Sequence, residues 1–63
     1  MISNKDALIF LKDLLKLELE MKSKYTALEK SVKEKWLNSA FKRLAGEEQD
    51  HADLVEDVMK IFK

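Results

Sequence analysis

Two stretches of this chain repeat apolar residues at alternating steps of four and three, and that period leaves little choice of fold. The first runs Ala7, Leu11, Leu14, Glu18, Met21, Tyr25, Leu28 and Val32; the second runs Leu37, Phe41, Leu44, Glu48, His51, Val55, Val58 and Phe62. Such a seam stays on one face of an α-helix over many turns, whereas a strand would need strict alternation. No proline interrupts either stretch, the one glycine is Gly46, and Leu, Lys, Glu and Ala dominate. These are good helix formers, so an all-α fold of two helices is expected.

Capping chemistry places the helix ends. Ser3 with Asp6, and Ser31 with Glu34, fit the pattern in which a Ser and an acidic residue three positions on satisfy each other's free N–H groups. This predicts helix 1 from about residue 4 to 30 and helix 2 from about 32 to 62. A connection this short makes the helices antiparallel neighbours, and residues 1–63 read as one helical hairpin. Folding it about the turn sets Tyr25 opposite Phe41, Met21 opposite Leu44, Glu18 opposite Glu48, Leu14 opposite His51 and Leu11 opposite Val55. Glu18, Glu48 and His51, the ionisable exceptions to two apolar seams, therefore converge on one layer.

Composition excludes much else. The twelve basic and twelve acidic residues are interspersed without a basic block, which argues against nucleic acid as a partner. The apolar start at residues 7–17 is broken by Lys12, Asp13 and Lys16. It is too short and charged to span a bilayer, and no cleavage site follows it, so a cytoplasmic protein without a membrane partner is expected. The chain has no cysteine, which removes disulfides, cysteine-ligated zinc, iron–sulfur clusters and rubredoxin-type iron. Yet 63 residues bury too little surface to be comfortably stable alone. Metal on nitrogen and oxygen ligands, or association with other subunits, remains.

The polar layer suits both. Facing carboxylates in an apolar seam repel and lose hydration, and a divalent cation compensates. Carboxylate oxygens with one imidazole suit iron or manganese, and zinc could bind as well. One hairpin offers two Glu and one His, too few for a full coordination shell, and leaves its apolar seam open to water. Two hairpins about a twofold axis would make a four-helix bundle with four Glu and two His at its centre, the donor set of di-iron carboxylate bundles. Four carboxylates and two divalent ions would nearly cancel in charge. In this homodimer Glu18 is expected as a terminal ligand, Glu48 as a bridge and His51 as the nitrogen donor. Metal ions about 4 Å apart can together reduce dioxygen or peroxide.

Other positions carry weaker signals. Trp36 is expected to seal the turn end, and Tyr25 either to pack on Phe41 or to serve the site through its hydroxyl. Glu47 and Glu20 lie off the seam and are expected to be solvated, with a role on an iron access path as the alternative. Gly46 costs a helix about 1 kcal/mol relative to Ala and either admits a close neighbour or is incidental. Leu8, Ile9, Phe10, Leu15, Leu17 and Leu19 make helix 1 apolar beyond one stripe, which predicts a further interface and a ring-like oligomer of dimers.

Glu18, Tyr25 seven residues later, and then "FKRLAGEEQDHADLVEDV" resemble the E-x6-Y … L-A-x-E-E-x-x-H-x-x-L pattern of rubrerythrin and ferritin half-bundles in the ferritin-like superfamily. The resemblance spans roughly residues 14 to 58. The pattern occurs once here, which looks most like the two-helix encapsulated ferritins. The resemblance implies a ferroxidase that oxidises Fe(II) with O2 or peroxide at a di-iron site shared by two chains, with iron storage or detoxification inside an encapsulin shell. Carried over, Glu18, Glu48 and His51 match the iron ligands and Tyr25 a tyrosine beside them. The chain departs from the pattern by ending at Lys63, directly after helix 2, where an encapsulin cargo would carry a further helix and a targeting tail. The alternative is a non-catalytic helical assembly module, in which a structural metal or a polar register layer sets association.

Overall fold

The computed structural model describes residues 2–62, and among these the chain forms two helices that pack antiparallel: α1 (Asn4–Ser31) and α2 (Lys35–Ile61). The start of α1 is as the sequence implies, with the Ser3 side chain accepting from the Asp6 backbone N–H at 3.1 Å. The start of α2 is not. Ser31 does not cap it; the Ser31 hydroxyl donates to the Ala27 carbonyl at 2.8 Å, a bond back to the preceding turn that keeps Ser31 inside α1. Residues 32–34 form the link, and Glu34 stands at the head of α2 without a side-chain cap bond. The Asn38 side-chain amide instead donates to the Glu29 carbonyl at 2.6 Å, tying the new helix to the end of the old one.

The register is the one the paired seams imply. Tyr25 stacks on Phe41 with ring centroids 6.4 Å apart and planes 25° from parallel. Such a pair contributes about 0.5–1.5 kcal/mol beyond its buried area. Trp36 does not seal the turn; it is 69% exposed, one position before the half-buried Leu37 and so about 100° round α2 from the seam.

The hairpin is a rod of 48 × 16 × 14 Å with a radius of gyration of 14.7 Å, against about 11 Å for a compact domain of this length. Among the described residues the buried apolar set is Ala7, Ala45, Ala52 and Val55, and no large side chain is fully buried. Alanines let the helices approach closely but bring little apolar area out of water. The accessible surface of 5113 Å² exceeds the roughly 4200 Å² of a compact monomer of this mass. The excess is close to the ~800 Å² that each partner of a standard protein interface buries.

Candidate metal centre

Glu18 lies at the middle of α1 and Glu48 at the middle of α2, so antiparallel packing sets them at the same height. Among the described residues, Glu18, Glu48 and His51 are the one group of three carboxylate or imidazole side chains with ligand atoms all within 4.8 Å of one another. The His51 Nδ1 is 3.0 Å from Glu18 Oε2, across the helix pair. Glu18 is the sheltered partner, its side chain 17% exposed, while that of His51 is 59% exposed. The difference follows from spacing: three residues after Glu48 places His51 about 60° round α2, on one flank of the hairpin.

The carboxylates feel each other. Glu48 is raised above its ordinary value, chiefly by a hydrogen bond shared with Glu18, then by partial burial and by the charge of Glu18. Glu47 adds to the rise and His51 opposes it. Glu48 thus holds its proton more tightly than a free carboxyl would, and a cation placed among these oxygens would compete with that proton.

The two flanks of the site differ. Opposite His51, the Lys22 ammonium donates to the Gln49 side-chain oxygen, and the Gln49 amide donates to Asp53 at 2.8 Å, closing that side with a polar chain. Sequence reasoning passed over this chain, although Lys22 follows Glu18 by one turn and Gln49 adjoins Glu48. The His51 flank is open and apolar. Helical spacing puts Phe10, Leu17 and Leu28 of α1 and Trp36, Leu54 and Ile61 of α2 on it, each 43–77% exposed. Phe10 and Val58 line one groove there with Ala7 and Leu11. Of the remaining candidates, Tyr25 is seven residues beyond Glu18 with its ring on Phe41 and Glu20 is exposed, whereas Glu47, one residue before Glu48, lies on the His51 flank and pairs there with Arg43 at 3.5 Å.

A helical hairpin with two carboxylates and an imidazole at its midpoint is the half-unit of a carboxylate–histidine metal bundle. A sequence model described as Rubrerythrin matches residues 10–63. The chain belongs to the rubrerythrin family, within the ferritin-like superfamily of di-iron carboxylate proteins, and the family implies iron binding. No curated protein and no solved structure matches the chain. Among the described residues, no helix is long and apolar enough to cross a membrane.

Proposed function

We propose that two copies of this chain join through the His51 flank and hold iron between them, and that the assembly oxidises Fe(II) with O2 or peroxide. The observation that carries this reading is the convergence of ligand atoms of Glu18, Glu48 and His51 within 4.8 Å of one another, beside a flank that exposes Phe10, Leu17, Leu28, Trp36, Leu54 and Ile61. Oxygen and nitrogen donors without sulfur fit iron in a carboxylate-rich site. Glu18, Glu48 and His51 would hold the ions, each Fe(II) giving up one electron as it becomes Fe(III): two reduce one hydrogen peroxide with two protons, and four reduce one O2 with four protons, to two waters in either case.

The chain's own groups have definite tasks. Glu18 and Glu48 offer carboxylate oxygens to the cation, and Glu18 orients the His51 ring through Nδ1. Lys22 and Gln49 block water from one side. The apolar flank of the second copy would block it from the other. In a water-poor site, charge on these carboxylates attracts a cation more strongly than it would at a surface.

An anaerobic Fe(II) titration of the metal-free protein in the analytical ultracentrifuge, followed by air, tests the reading. Iron-dependent dimers with about one ion per chain, and ferric absorbance that grows over many equivalents, are expected. Dimers that ignore iron and stay colourless would replace it with an assembly module whose Glu18–His51 contact sets register.

A further inference from the structure

Resting on the reading of Glu18, Glu48 and His51 as metal ligands, we infer that Gln49 is a positioning residue for the centre: it holds the Lys22 ammonium away from Glu18, so that both carboxylates stay open to a cation.

Lys22 follows Glu18 by one turn of α1, and an acid four residues before a lysine is the order in which helical ion pairs form most readily. Glu18 is also a sheltered acid, its side chain 17% exposed, and a charge beside it is screened less than at the surface. Yet among the described residues Glu18 meets His51 at 3.0 Å and makes no ion pair with Lys22. The Lys22 side chain crosses to α2 and donates to the Gln49 oxygen instead.

Chemistry fixes how Gln49 sits. An ammonium can only donate and a carboxylate can only accept, so the Gln49 amide has one orientation, its oxygen towards Lys22 and its NH2 towards Asp53 at 2.8 Å. The amide thus stands between a cation and an anion, and Lys22 is balanced by Asp53 through a neutral group. Glu47, the other acid beside the centre, lies on the His51 flank and pairs with Arg43 at 3.5 Å. Among the described residues Gln49 makes no hydrogen bond to Glu18, Glu48 or His51; it acts through Lys22.

A cation needs this separation. Two carboxylates and one divalent ion in each hairpin cancel in charge. An ammonium on Glu18 would occupy an oxygen that the ion requires and leave positive charge beside it. Of the residues one turn either way from Lys22 on α1, Glu18, Leu19, Tyr25 and Thr26, only Glu18 is an acid. Without the Gln49 oxygen, Lys22 therefore turns back to Glu18.

Zinc titrated into the full chain against a chromophoric chelator, at one chain concentration and low salt, tests this, with far-UV circular dichroism of each variant. Gln49→Ala should weaken zinc binding about three- to tenfold. Adding Lys22→Met, which keeps the apolar stem and removes the charge, should restore it. A role for Gln49 in packing or in excluding water would leave the double variant as weak as Gln49→Ala, and that result would overturn the inference. Zinc bound equally well by Gln49→Ala and the unaltered chain would overturn it too and leave the metal centre standing. An unaltered chain that binds no zinc would overturn both. Lys22→Met alone removes the same charge with Gln49 in place: zinc should bind about twofold more tightly, and weaker binding would refute the competition between Lys22 and the cation.

Discussion

Gly46→Ala is a change whose outcome the structure specifies closely. Gly46 sits inside α2 two residues before Glu48, and no glycine among the described residues has a positive φ. A Cβ built there meets nothing within 4 Å. The methyl therefore enters open space, while the unfolded chain loses backbone freedom, a gain of about 0.8–1.0 kcal/mol for an exposed helix position. An unfolding entropy of about 2.1 cal/mol/K per residue amounts to about 0.13 kcal/mol/K for this chain, so melting should rise by roughly 7 °C. Far-UV circular dichroism, at one chain concentration with and without metal, measures it; the concentration is fixed because association shifts melting by mass action. Metal stoichiometry should not change, since glycine offers no donor. A melting temperature that stays or falls would refute the reasoning and mean that another backbone fills the space beside Gly46 in the assembly.

Other expectations follow from the same geometry. Because Glu48 is raised above its ordinary value of 4.5, the folded metal-free protein binds that proton more tightly than the unfolded chain. Its contribution is full below 4.5 and declines as pH rises through the raised folded value. Glu48→Gln should remove that decline from a pH series of metal-free melts and abolish iron oxidation; an unchanged oxidation rate would exclude Glu48 as a ligand. Metal should raise the melting temperature of the unaltered protein at neutral pH, and the gain should fade on acidification as protons compete for the carboxylates and imidazole; equal melts with and without chelator would count against the site. Ala52 is 0% exposed at the helix contact, so Ala52→Leu should cost about 1–3 kcal/mol, visible as a lower urea midpoint. Tyr25→Phe preserves the stack on Phe41 and should leave melting and metal stoichiometry unaltered; slower iron oxidation would assign its hydroxyl to the chemistry.

Much of the site was legible because it is an exception to a rule. Glu18, Glu48 and His51 interrupt seams that are otherwise apolar, and pairing Tyr25 with Phe41 leaves one register in which the interruptions meet. Both facts are local: helix period and a short connection suffice. The Lys22–Gln49–Asp53 chain was less visible, since polar residues off a seam look like ordinary solvated surface until packing shows what they reach.

The sequence by itself determined that the chain is two helices folded antiparallel, because a period of four and three without proline makes both stretches helical and the short connection between them makes them antiparallel neighbours. It also determined the height at which three ionisable groups lie. Tertiary structure decided where the turn falls. Ser31 could cap the second helix or bond back into the first; its hydroxyl donates to the Ala27 carbonyl, and the Asn38 bond across the turn accompanies that choice. Packing also decided that Phe10, Leu17 and Leu28 of α1 and Trp36, Leu54 and Ile61 of α2 share the His51 flank, while Lys22 and Gln49 meet on the other, where Leu15 and Leu19 line a separate groove. Which sides of two helices become neighbours depends on how close contacts such as Ala45 and Ala52 rotate one helix against the other, and no single-helix pattern contains that angle.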